Sequence, residues 1–340
     1  MNSVKDSDNF LLEVTNLKKY FPIQKGILQR TIGHVKAVDG VNLSIEKGET
    51  FGLVGESGCG KSTTGRCLLR GHELTDGRIS FNDKEYGWID IEKIERAQLK
   101  SFRRHAQIIL QDPFGSLNPR MTLLDIVGEG LTIYGIRGQE RKDRVAALLE
   151  VVGLRPEYMT RYPHAFSGGQ RQRIGIARAL ALEPQFIVCD EPISALDVSI
   201  QAQVLNLLQD LQDQFQLTYF FVAHQLNVVE HICDRVAVMY VGKVVEISST
   251  EDLFSQPKHP YTEALLSAVP RPDPRNVDKE IILEGEVANP ASPPSGCYFH
   301  PRCSYATEQC RVEEPELTEI SGNRQVRCHR ATELSLTGVV

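Results

Sequence analysis

Gly55-Glu56-Ser57-Gly58-Cys59-Gly60-Lys61-Ser62 matches the pattern G-x-x-x-x-G-K-[ST], and its flanks are those the pattern requires. Before it, Thr50-Phe51-Gly52-Leu53-Val54 reads as a short buried strand. After it, Thr63 to Leu69 carries the apolar spacing of a helix. A strand, a glycine-rich turn and a helix start aim backbone N–H groups at phosphate oxygens. Gly58 and Gly60 let the backbone curl close to a ligand, Lys61 offers a point charge to β- and γ-phosphates, and Ser62 can hold Mg²⁺. Gly55, Glu56, Ser57, Gly58, Cys59, Gly60, Lys61, Ser62 and Thr63 are therefore expected to bind a nucleoside triphosphate.

The chain around this loop is ordinary in bulk. Its 340 residues allow one large domain or two moderate ones. Apolar residues make up 41% and charged residues 24%, the composition of a globular protein. A formal charge of −6 supplies no general basic field for nucleic acid. No apolar run approaches the roughly eighteen residues of a membrane span, and polar Met1 to Asn9 lacks a signal-peptide core, so a cytoplasmic location is expected. Of eight cysteines, Cys59, Cys67, Cys189 and Cys233 are scattered through the first 233 residues and read as small buried side chains. The other four crowd into the tail.

Upstream of the loop, Leu11 to Leu17 and Val38 to Ile45 alternate apolar and polar residues. They read as strands of an antiparallel layer closed by the turn Glu46-Lys47-Gly48-Glu49. Phe21, before Pro22, either stacks on a base or plugs that layer, and the residues alone favour the plug. Downstream, Phe186-Ile187-Val188-Cys189-Asp190-Glu191 is an apolar strand ending in two carboxylates, a Walker B pattern. Asp190 would complete a Mg²⁺ shell and Glu191 would orient or deprotonate the attacking water. Phe166-Ser167-Gly168-Gly169-Gln170 opens a helix with Ile174, Ala177 and Leu180 on one face, a second anion site at a helix N-terminus. One nucleotide cannot easily use two such sites on one chain, so the second is expected to serve a partner subunit.

A Ser-Gly-Gly-Gln signature between a phosphate loop and a Walker B strand resembles the ATP-binding cassette (ABC) ATPases, over residues from about 11 to 250. The resemblance implies an α/β fold: a RecA-like P-loop ATPase core with an antiparallel β subdomain, a helical signature subdomain over Leu123 to Leu154, and a small Cys-rich C-terminal extension. It assigns Gln111, after the strand Ala106 to Leu110, to the Q-loop that touches Mg²⁺. Ser194-Ala195-Leu196-Asp197 falls to the D-loop at a dimer interface, and His224, after the strand Thr218 to Ala223, to the switch that contacts the γ-phosphate. Phe21 takes the stacking aromatic of the A-loop. Lys61, Gln111, Glu191 and His224 would be catalytic; Ser62, Gln111 and Asp190 would hold Mg²⁺; Ser167, Gly168, Gly169, Gln170 and Asp197 would act on ATP in trans. Two departures are visible: Phe166 stands where leucine is usual and Gln225 where aspartate follows the switch histidine. The stretch Asp112-Pro113-Phe114-Gly115-Ser116-Leu117-Asn118-Pro119 resembles the oligopeptide and dipeptide importers in particular.

The tail continues with a hairpin, Arg235 to Tyr240 and Lys243 to Glu246 around Val241-Gly242, and a helix over Pro257 to Val269 beginning at His259-Pro260. Pro270, Pro272 and Pro274 break it, and Arg271 to Asp278 reads as a linker. Cys297, Cys303, Cys310 and Cys328 follow, with gaps of five, six and seventeen residues. Disulfides fit a reducing cytoplasm poorly, and the usual Cys-x₂₋₄-Cys of zinc is missing. Four free thiols, zinc and an iron–sulfur cluster all remain open on spacing. The run Cys297-Tyr298-Phe299-His300-Pro301-Arg302-Cys303 resembles the C-terminal extension of peptide-importer ATPases, which implies a [4Fe–4S] cluster on the four cysteines. The whole is expected to divide into an ATPase domain, 10–255, and an extension, 256–340.

The resemblance thus implies an ATPase subunit of an oligopeptide or dipeptide importer, using ATP and Mg²⁺ peripherally at the cytoplasmic face of the membrane. Its partners would be a second, related cassette, two transmembrane permeases and an extracytoplasmic peptide-binding protein, with no nucleic acid. Import of nickel or another small solute is the alternative within transport. A cassette ATPase acting on DNA or the ribosome is the alternative outside it, but this chain has one phosphate loop, no sustained heptads and a negative charge.

Overall fold

The computed structural model describes residues 9–26, 29–269, 281–321 and 324–339; the expected linker Arg271–Asp278 and residues 1–8 lie outside them. The strands are β1 (Phe10–Lys25), β2 (Arg30–Glu46), β3 (Thr50–Val54), β4 (Asp76–Asp83), β5 (Gly87–Asp90), β6 (Ala106–Ile109), β7 (Phe186–Asp190), β8 (Thr218–Val222), β9 (Arg235–Tyr240), β10 (Lys243–Ser249), β11 (Thr318–Ser321) and β12 (Arg324–Val326). They form two sheets. An antiparallel layer has the order β2-β1-β4-β5, and a larger sheet has the order β11-β12-β10-β9-β3-β8-β7-β6.

The centre of the large sheet is parallel: β9, β3, β8, β7 and β6 all run the same way. Strands buried on both faces need near-continuous apolar sequence. All five residues of β3, β7 and β8 are buried. One apolar cluster joins the small layer to the phosphate-loop side of the sheet through Leu12, Val41, Phe51, Phe81 and Phe220. A second joins the other side of the sheet to helices Leu123–Val127, Gly138–Val151 and Gly168–Leu180. Val145, Leu149 and Val152 are fully buried there, as their spacing requires. The unusual Phe166 is accommodated, buried and edge-on to Tyr158 at 5.4 Å.

Several expectations shift in detail. The turn at Glu46–Glu49 does not close the small layer but carries the chain from β2 into β3 of the other sheet. The helix expected from Pro257 begins at Pro260, with the buried ring of His259 accepting the Tyr261 N–H as its cap. The β9–β10 hairpin turns at Val241 and Gly242, both at positive φ (41° and 79°), the pair of values a tight hairpin turn demands. Its tip bridges the two sheets: Gly242 N–H donates to the Cys59 carbonyl at 2.8 Å, and its own carbonyl accepts Asp39 N–H at 2.8 Å.

The C-terminal extension is stitched into this frame. β12 pairs with β10, Glu246 opposite Val326, and β11 pairs with β12. Phe299 is buried among Tyr240 and Tyr261, both 5.3 Å away between ring centres. Glu246, fully buried on β10, accepts the backbone N–H groups of Lys258 and His259 and pairs with Arg324 of β12 at 3.0 Å. Burial raises its carboxyl pKa, and the Arg324 guanidinium opposes that rise. Arg324→Ala removes the guanidinium and leaves the carboxylate desolvated. We expect a loss of about 3 kcal/mol in chemical denaturation, the scale for breaking one half of a buried pair.

Candidate functional site

In an open parallel sheet ligands bind beyond the carboxyl ends of the strands. Register decides which residues arrive there. Leu53 on β3 lies opposite Val222 on β8, Asp190 on β7 also opposite Val222, and Ile109 on β6 opposite Cys189. The residues just past these positions, Gly55, Glu191, His224 and Gln111, therefore emerge along one edge.

The phosphate loop is held open by its own contacts. Lys61, 5% exposed, directs Nζ to the carbonyls of Gly55 at 2.7 Å and Glu56 at 3.0 Å. Helix Lys61–Leu68 follows with no side-chain cap, so its first N–H groups stay free for an anion. Gly60 has φ +110°, and a Cβ there would stand 2.0 Å from the Ala37 carbonyl oxygen of β2. Gly55 is equally confined: a Cβ would stand 2.1 Å from the Met239 carbonyl oxygen. Gly58, at φ +80°, meets nothing and is needed only for its backbone. Cys59 is buried and its thiol pKa is raised by that burial, so it packs rather than reacts.

Ser62 Oγ donates to Asp190 Oδ1 at 2.7 Å, joining the loop to the Walker B strand. Arg66 Nη2 stands 3.9 Å from the other Asp190 oxygen. Glu191 sits just past β7 at φ +47°, its N–H donating to the Val222 carbonyl. That turn swings its side chain toward two partners. Gln111 Nε2 donates to Oε2 at 2.8 Å, and His224 Nδ1 stands 3.3 Å from the same oxygen. His224 keeps a side chain 46% exposed, able to meet a ligand, against 16% for Glu191. Gln111 is thus drawn to Glu191, and among the described residues no hydrogen bond joins it to Ser62 or Asp190. Gln225 opens the helix Leu226–Ile232 without a side-chain cap.

The remaining sequence-assigned residues stand apart. Ser167 caps the helix Gly168–Leu180 in a reciprocal box, its Oγ accepting Gln170 N–H and its N–H donating to Gln170 Oε1. Among the described residues no hydrogen bond or ion pair joins Ser167, Gly168, Gly169 or Gln170 to residues 55–62. Asp197 precedes the helix Val198–Phe215. Phe21 lies on β1, half-buried, edge-on to His72 at 5.5 Å with Lys19 Nζ 5.0 Å from its centre.

Four contacts of the loop lay beyond sequence reading because their partners are far along the chain. Ala37 packs on Gly60, and Gly242 bonds to Cys59. Tyr261 Oη accepts the Glu56 N–H at 2.9 Å, and Arg302 pairs with the Glu56 carboxylate at 2.8 Å. No local pattern marks such residues.

The four tail cysteines line one cavity with His300, Tyr305 and His329, about 350 Å³ counting its open mouth. Burial pushes the thiol of Cys297 up to about 11 and that of Cys303 up to about 12, and it raises Cys328 as well. Among the described residues no three His, Cys, Asp or Glu side chains stand close enough to share one metal ion.

The family described as "ABC transporter" matches residues 38–194, and "Oligopeptide/dipeptide transporter, C-terminal region" matches residues 245–310. The chain is 52% identical to the oligopeptide transport ATP-binding protein AppF of Bacillus subtilis, over 94% of this chain and 97% of that protein. It is 48% identical to the dipeptide transport ATP-binding protein DppF of Haemophilus influenzae, over 96% and 98%. Among solved structures, a dimeric post-hydrolysis state of the ATP-binding cassette MJ0796 bound to ADP and Pi is similar, with a TM-score of 0.61 and 27% identity. That match spans 71% of this chain and 99% of the other.

The Gly60 geometry has a direct consequence. Gly60→Ala drives a methyl into the Ala37 carbonyl and strains the turn, so we expect at least about a tenfold loss of Mg-ATP affinity by equilibrium titration. Gly58→Ala, where space is open, should lose less.

Proposed function

The chain belongs to the ABC transporter family as an ATP-binding subunit of the oligopeptide and dipeptide importers, and we propose that it hydrolyses ATP at a site shared by two cassettes to power peptide uptake. The observation that carries the mechanism is the contiguous run at the sheet edge: Ser62 on Asp190, and Glu191 between Gln111 and His224.

Lys61, released from the Gly55 and Glu56 carbonyls, places its charge on the β- and γ-phosphates, and the free N–H groups of its helix cradle them. Glu191 accepts a proton from the attacking water and is aimed by Gln111 and His224. His224 reports the γ-phosphate through its exposed ring. Ser62 and Asp190 offer hard oxygen donors that fit Mg²⁺, with Gln111 reaching the site when it leaves Glu191. Mg²⁺ held there would supply positive charge against the transferring phosphoryl group. Phe21 stacks on the base. Ser167, Gly168, Gly169, Gln170 and Asp197 act on the partner cassette's nucleotide, which accounts for their standing apart from the phosphate loop of their own chain.

The two functional parts are an ATPase domain over 10–255 and an extension over 256–340. The extension is attached through β12 and the Tyr240–Tyr261–Phe299 cluster. By the resemblance of Cys297–Cys303 to the extension of peptide-importer ATPases, its four thiols are assigned to a [4Fe–4S] cluster. They line one cavity, and among the described residues no three His, Cys, Asp or Glu side chains stand close enough to share one metal ion. Among the described residues no helix is long and apolar enough to cross a membrane. As in the importer family it resembles, the chain works peripherally, on the cytoplasmic face, with a related second cassette, two permeases and an extracytoplasmic peptide-binding protein.

A tag on this chain should recover two permeases, a second cassette and a peptide-binding protein from membranes; recovery with ribosomes or DNA and no permease would overturn transport. Glu191→Gln should retain ATP binding and slow hydrolysis by roughly 10²- to 10⁴-fold, the range for losing a general base. Near-normal turnover would remove Glu191 from that role. Anaerobically purified chain should contain iron and acid-labile sulfide; a colourless sample with zinc and no iron would overturn the cluster.

A further inference from the structure

The extension reaches the phosphate loop itself. Arg302 donates from Nη1 to Glu56 Oε2 at 2.8 Å and from Nη2 to Oε1 at 3.0 Å, a bidentate fork. The Arg302 side chain is 7% exposed and that of Glu56 27%, so the pair is largely shielded from water. Such forks are the strong, directional form of ion pair.

Glu56 is bound at every polar group. Its N–H donates to Tyr261 Oη at 2.9 Å, and its carbonyl accepts Lys61 Nζ at 3.0 Å. A line of contacts therefore runs from Arg302 through Glu56 to the ammonium that meets the phosphates. At its far end, Arg302 closes the short turn His300–Arg302, which lies between Cys297 and Cys303. The chemistry of the loop gives this line a purpose. Glu56 is a carboxylate within a cradle for a polyanion, and an unpaired one would repel a triphosphate.

We propose that Arg302 is a positioning residue for the phosphate loop. It turns the Glu56 carboxylate away from the nucleotide and neutralises it, so that the packing of the cysteine turns sets affinity for ATP. The inference rests on the reading of Gly55–Ser62 as the ATP site.

The test is Mg-ATP titration of the full chain carrying Glu191→Gln, so that nucleotide persists. Arg302→Ala should raise Kd about tenfold, and Arg302→Lys, which keeps charge without the fork, should raise it less. Adding Glu56→Gln to Arg302→Ala should restore affinity to within about threefold of the parent, because the repulsion is gone. Loss of fold cannot produce that rescue. With Glu191 intact, Arg302→Ala should raise KM for ATP and leave kcat at saturation. Cys303→Ser should raise Kd in the parent and add little to Arg302→Ala. Arg311→Ala, which breaks an exposed pair with Glu308 in the same extension, should change nothing. Parent-like affinity in Arg302→Ala, no rescue by Glu56→Gln, or equal effects of Cys303→Ser in both backgrounds would overturn the proposal. A parent chain that binds no ATP would instead overturn the reading of the site, and the proposal with it.

Discussion

The parallel hydrogen-bonded register of β3, β8, β7 and β6 is the constraint on which the site depends. It brings Gly55, Gln111, Glu191 and His224 to one edge from four separate places along the chain. A register slip of one residue in β7 would invert its side chains and send Asp190 to the wrong face. The slip is prevented by burial: Phe186, Val188 and Phe220 fill one core while Ile187, Cys189 and Phe221 fill the other. The apolar sequence of these strands is thus a device for placing the polar residues that follow them.

The phosphate loop is held from three directions. β2 touches it at Ala37, the β9–β10 hairpin tip bonds to Cys59, and the extension grips Glu56 through Arg302 and Tyr261. This explains a loop with two glycines that tolerate no Cβ: the confinement comes from backbone carbonyls of other strands, which cannot move aside as a side chain can. The lysine is parked on loop carbonyls in the same frame and has only to swing toward a phosphate. Preorganised donors of this kind lose little on binding, which is how such sites stabilise developing charge.

The extension is often the separable part of a chain when a proline-rich segment precedes it, and here it is integrated. β12 and β11 extend the large sheet beyond β10, Arg324 pairs with a buried glutamate of β10, and Phe299 sits in a cluster of tyrosines from β9 and the helix Pro260–Ser267. Its cysteines are therefore fixed relative to the ATP site by packing as well as by chain connection.

The sequence alone determined the core α/β fold and most of the residues gathered at the sheet edge. The phosphate loop, the Walker B acids and the Ser-Gly-Gly-Gln turn are local: each needs only a strand end, a helix start and short-range residue types, and these are written contiguously. Glu191, Lys61 and Ser62 were legible for that reason, and Gln111 and His224 once the pattern identified the family. The tertiary structure alone decided what lies across the sheets. It turned Gln111 onto Glu191, made Gly55 as confined as Gly60, put Phe21 edge-on to His72, and set Arg302 on Glu56, 246 residues away. Those contacts depend on which elements pack together, and an arginine three residues past Phe299 carries no local sign of the carboxylate it will meet.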